Sequence, residues 1–94
     1  MQNMPRDSVY KAEFDYSWPT YFQPLDESVK ERITKKAWKI LEYPNKRHLK
    51  KSSFFVDEAG QYRIIYRVFE EEKLVRFYFV GTHKEYEKWY KQGF

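Results

Sequence analysis

Residues 61–90, QYRIIYRVFEEEKLVRFYFVGTHKEYEKWY, decide the fold. Over 61–69 the side chains alternate, with Tyr62, Ile64, Tyr66 and Val68 facing one way and Arg63, Ile65, Arg67 and Phe69 the other. Period two means strand. The alternation resumes after Glu70, Glu71 and Glu72, with Val75, Phe77 and Phe79 on one face and Leu74, Arg76, Tyr78 and Val80 on the opposite one. Two such runs joined by a short acidic turn predict an antiparallel hairpin, one face apolar and the other rich in arginine and tyrosine. A closing helix follows. Thr82 and Glu85 have capping-box spacing, Tyr86, Trp89 and Tyr90 share one side, and Gly93 is placed to end the helix.

Working outward, residues 53–57 predict a short strand that turns through Glu58, Ala59 and Gly60 into the hairpin, with Gly60 taking a positive φ. Residues 46–51, KRHLKK, read as a basic linker anchored by Leu49, and Pro44 and Asn45 end the helix before it. That helix is predicted over residues 26–43. Its apolar stripe is Val29, Ile33, Ala37, Ile40 and Leu41, and either Asp26 or Ser28 caps it, Ser28 with Glu31 as a capping box. Arg32, Lys35, Lys36 and Lys39 gather on another side, a solvated surface first and a polyanion track second. Trp38 falls outside the stripe, capping the core edge or marking a partner surface. In residues 17–25, SWPTYFQPL, Pro19 and Pro24 leave room for one helical turn capped by Ser17, with Trp18, Tyr21 and Phe22 inward. Residues 9–16 alternate and predict an edge strand beside the hairpin, and residues 1–8 read as a loose tail. The expected class is α+β: a mainly antiparallel twisted sheet of about four strands, with helices on one face and a short C-terminal helix.

Ninety-four residues support one domain, spanning 1–94. The chain has no cysteine, so disulfides and thiolate metal sites are excluded. It has no run approaching the roughly 20 apolar residues of a membrane span, and its first residues lack the apolar core of a signal peptide, so the expected compartment is the cytoplasm. Eighteen Lys and Arg against fourteen Asp and Glu give a net charge of +4, and 21% of residues are aromatic. That composition suits a polyanion or an acidic partner, and equally an ordinary basic domain that binds no nucleic acid.

Chemistry concentrates in Arg63, Arg67, Arg76, Tyr78, His83 and Tyr86. Arg63 and Arg67 are about 13 Å apart on one strand face, and Arg76 and Tyr78 extend that face onto the next strand. His83 opens the last helix, and Tyr86 lies one turn along. A proton acceptor, a proton donor and cations are the parts for cleaving a phosphodiester through its own 2′-hydroxyl. On spacing alone, arginines paired with Glu70, Glu71 and Glu72 across the hairpin are the simpler reading. Neither His48 nor His83 has a partner at metal-ligand spacing, and no glycine-rich phosphate loop or Ser/His/Asp signature is present, so no metal or cofactor is expected.

At Tyr62-Arg63-Ile64-Ile65-Tyr66, the acidic turn and Gly81-Thr82-His83-Lys84-Glu85-Tyr86, the chain resembles the RelE/ParE superfamily of toxins, its ending most like the HigB type. The likeness runs back through Pro44 with His48-Leu49-Lys50, the helix, and the first strand. It implies the toxin of a type II toxin–antitoxin pair, bound by a cognate antitoxin and acting on messenger RNA in the ribosomal A site as an endoribonuclease. By the same likeness Arg63 contacts the scissile phosphate, His83 is the general acid or base, and Tyr86 lies near the substrate. Lys50, Lys51, His48, Arg67 and Arg76 would contact RNA. A ParE-like gyrase inhibitor, or a family member acting only through protein binding, is the alternative. Two stretches depart from the family pattern: Phe54, Phe55 and Val56 stand where interferases often carry lysines, and SWPTYFQPL replaces a family helix.

Overall fold

The computed structural model describes residues 10–42, 44, 47–48 and 53–92. In order these form β1 (Lys11–Phe14), α1 (Trp18–Phe22), α2 (Glu27–Glu42), β2 (Arg47–His48), β3 (Phe55–Ala59), β4 (Tyr62–Phe69), β5 (Leu74–Thr82) and α3 (His83–Lys91). The described strands make one sheet in the order β1-β5-β4-β3-β2. All neighbours are antiparallel except β1, which runs parallel to β5 with Glu13 opposite Arg76. The expected α+β class holds. The basic linker contributes a two-residue strand that its composition did not announce, and the strand predicted over 53–57 lies two residues later, at β3.

Turn chemistry sets the hairpins. Gly60 has φ +63°, which glycine adopts without steric cost, and the β3–β4 turn closes there. Lys73, at φ 54°, closes the acidic turn into β5. Helix α2 starts one residue after Asp26, whose carbonyl accepts from the Lys30 amide, so Asp26 stands in the cap position. Ser28 lies inside the helix and cannot cap it, which corrects the Ser28–Glu31 capping box. Two prolines do confine α1 to five residues, yet Ser17 makes no side-chain cap bond. Its hydroxyl and amide instead hold the Asp15 carboxylate.

The sheet is covered on both faces. On one, Ile33, Ala37, Ile40 and Leu41 of α2 and Trp18 of α1 pack on Ile64, Tyr66, Val75, Phe77 and Val80, with Trp38 at the margin of this core. Burying each large side chain contributes about 1.5–3 kcal/mol. On the other, Trp89 and Tyr86 of α3 cover Val56, Ile65 and Phe79. The even alternation predicted for β5 fails at one residue. Ile65 pairs with Phe79 but Tyr66 pairs with Phe77, so Tyr78 is an extra residue, a β-bulge. Beyond it Phe79 turns to the α3 face and Val80 to the α2 face, the reverse of the predicted assignment. That switch gives α3 an aromatic seat, with Trp89 stacked on Phe79 at 5.5 Å.

Candidate active site

The candidate site lies where the β3–β4 turn and the start of α3 meet. Arg63 leaves β4 on the α3 face, directly opposite Gly81. A Cβ at Gly81 would stand 2.7 Å from the Phe79 ring, 2.8 Å from the Glu85 carboxylate and 3.1 Å from Glu85 Cβ, so only glycine lets the first turn of α3 fold so close to the strand. The capping box predicted there is present: the Thr82 hydroxyl accepts from the Glu85 amide at 3.3 Å, and the Glu85 carboxylate accepts from the Thr82 amide at 2.8 Å. This closed first turn aims Tyr86 back over the sheet. The Arg63 guanidinium lies over the Tyr86 ring, 5.2 Å from its centroid, and the His83 ring lies 6.2 Å from the same ring. Three predicted catalytic residues from two elements therefore meet around one phenol.

Arg63 and His83 each have a carboxylate at hand. Arg63 pairs with Glu58, its cross-strand neighbour, at 3.5 Å, and His83 Nε2 lies 3.0 Å from Glu87 one turn along α3. Glu87 was readable in advance, since residues four apart on a helix are neighbours. Glu58 required the β3–β4 register. Arg63 is 26% exposed and His83 56%, so both are open to a large ligand in water. The group offers a cation, an imidazole and a phenol along one accessible edge, the chemical parts for holding a phosphate and moving protons beside it.

The other arginines of the predicted group go elsewhere. None of Arg63, Arg67 and Arg76 forms an ion pair with Glu70, Glu71 or Glu72 among the described residues. Arg67 and Arg76 are cross-strand neighbours, an arrangement of like charges that costs stability unless each charge is answered. Arg67 lies over the rings of Phe54 and Phe69, at 5.6 and 5.1 Å. Arg76 is held by Glu13 at 2.7 Å and Asp15 at 2.9 Å, and these bonds raise its already high pKa further. In return the Ser17 hydroxyl first, and then Arg76, hold the Asp15 carboxyl below its ordinary range. Arg76 is thus part of a structural clamp joining β1 to β5. Lys50 and Lys51 lie outside the described residues; the backbone places His48 in β2. No group of three or more metal-ligating side chains occurs among the described residues, and none of their helices is long and apolar enough to cross a membrane.

No protein-family model matches the sequence, and no curated protein does. Solved structures do match. A chain of the intact Escherichia coli RelBE toxin–antitoxin complex is similar at TM-score 0.70 with 26% identity, over 78% of this chain and 95% of that one. The fold is that of the RelE/ParE superfamily. Isolated E. coli RelE superposes at TM-score 0.70 with 24% identity over 88% of this chain and 97% of that one. A chain of the archaeal RelE–RelB complex from Pyrococcus horikoshii does so at 0.65 with 14% identity over 79% and 94%. Each of those toxin structures is matched over nearly its whole length, so the fold is shared. Phe54 departs from the expected lysine for a visible reason: it packs edge-on against Tyr78 and Trp89 and helps to seat α3.

Proposed function

We propose that this chain is the toxin of a type II toxin–antitoxin pair and that it cuts messenger RNA in the ribosomal A site without a metal. The observation that carries this reading is the convergence of Arg63 and His83 on the Tyr86 ring. In the cleavage step the RNA 2′-hydroxyl loses its proton and attacks the adjacent phosphorus, the bond from phosphorus to the 5′-oxygen of the next nucleotide breaks, and that oxygen takes a proton, leaving a 2′,3′-cyclic phosphate and a 5′-hydroxyl. His83 takes or gives the proton, Arg63 stabilises the charge that builds on the phosphoryl oxygens, and Tyr86 stacks on or orients the nucleotide. Glu58 releases Arg63 to the phosphate, an exchange that costs little because an exposed ion pair contributes only about 0–1 kcal/mol. Lys50, Lys51, His48 and Arg67 are assigned to RNA contact beside this centre. Arg76, spent on two carboxylates, takes a supporting structural part. The likeness to toxins solved with their antitoxins supports a cognate antitoxin as the protein partner.

The test is expression of R63A and H83A chains with sequencing of messenger RNA ends. Cleavage should fall in both; growth arrest that persists in both while messenger RNA stays uncut sinks the nuclease reading. A second reading has one observation in its favour. Phe54, Phe55 and Val56 place aromatic and aliphatic packing where a nuclease would have lysines, which suits a toxin that inhibits a protein target such as DNA gyrase by contact. Unimpaired supercoiling by gyrase in the presence of the purified chain removes that alternative.

A further inference from the structure

Helix α2 has three sides. One is core. A second, carrying Thr34 and Trp38, borders an apolar groove with Phe14, Trp18 and Phe22. The third carries Arg32, Lys35, Lys36 and Lys39, which with Glu58, Ala59 and Gly60 line an open cleft of about 300 Å³. At 1.5 Å per residue these four cations span about 10 Å along the helix. Lys36 lies 3.9 Å from Asp57, whereas Arg32, Lys35 and Lys39 have no carboxylate within ion-pair distance among the described residues. Four cations around one cleft fit a nucleic-acid backbone better than a protein. Protein interfaces exclude charge from their cores, and nucleic-acid interfaces are polar and cationic throughout.

The cleft also leads to the candidate active site. Glu58 lines it and pairs with Arg63, which lies on the opposite face of the sheet from α2. Strand β2 pairs only with Phe55 and Val56, so beyond Val56 the outer edge of β3 carries no neighbouring strand among the described residues. The route from α2 to Arg63 therefore runs round the β3 edge at Glu58.

We propose that Arg32, Lys35, Lys36 and Lys39 form a sequence-independent docking surface for the backbone of single-stranded RNA, delivering it round the edge of β3 to Arg63. The destination rests on the RNA-cleavage reading above; the binding does not. The purified full chain is titrated with fluorescent single-stranded 2′-O-methyl RNA, which keeps the phosphates and removes the attacking hydroxyl, between about 50 and about 200 mM salt. Each phosphate neutralised on a single strand contributes about −0.7 to the slope of log affinity against log salt. R32A/K35A/K39A should therefore flatten the slope by about 2. Over that fourfold salt range the wild type then loses roughly 20-fold more affinity than the variant. The charge-retaining R32K/K35R/K39R chain should keep the wild-type slope, which separates charge from any effect on folding. Equal slopes for wild type and the alanine variant overturn the proposal, as does a wild type whose binding is insensitive to salt. A flattened slope alongside R63A and H83A chains that both still arrest growth with messenger RNA uncut keeps the docking surface and discards the cleavage.

Discussion

Arg63 and Arg76 start from the same position in principle: both are arginines of the central hairpin, on the α3 face of adjacent strands. They end differently because of what the neighbouring strand supplies. Beside Arg76, β1 brings Glu13 and Asp15, and Ser17 fixes the latter. Beside Arg63 there is a glycine on one strand and a half-exposed glutamate on the other, with an aromatic ring above. A guanidinium held by two carboxylates is structural. One that rests on a ring and a single solvated acid is available to a phosphate, because exchanging that partner costs little.

The comparison breaks most visibly through R63A. Cleavage per folded molecule should fall by about 100-fold or more, equivalent to about 2.7 kcal/mol of barrier. Unfolding should shift by no more than about 0.5 kcal/mol, as expected for an exposed pair. R76A should do the reverse. Loss of charged hydrogen bonds to Asp15 and Glu13 should lower stability by about 2 kcal/mol in urea unfolding, while the folded fraction still cleaves. An R76A chain that is fully stable but inactive would reverse the assignment.

Acid sharpens the same contrast. The folded Asp15 carboxyl titrates below its ordinary 3.8, so its contribution is complete above that value and is lost as pH falls through the lower folded value. Thermal melts of wild type should show this extra loss at the acid end, and D15N should lack it. T82A removes one arm of the capping box and should cost about 1 kcal/mol, read as faster amide exchange in α3. Smallest of all, E58Q should change stability by less than about 0.5 kcal/mol and leave Arg63 freer for phosphate.

Much of the frame was legible. The strict alternation of β4, the α2 stripe, the prolines around α1 and the Thr82–Glu85 box are local patterns, set by residues within a turn or two of one another. The Tyr78 bulge was not legible, because alternation reads straight through it and only pairing with β4 shows the extra residue. Nor was the partner of Arg76, since Asp15 lies 61 residues away and reaches it through a parallel pairing that no hairpin rule predicts.

By itself, then, the sequence determined most of the strands and helices, though not β2, and it placed Arg63 at the start of the hairpin and His83 and Tyr86 just past its end. Only the tertiary structure decided which arginines are free to act. Local periodicity says which face a side chain takes, but what stands opposite depends on strand order and register, and these follow from how the whole core closes.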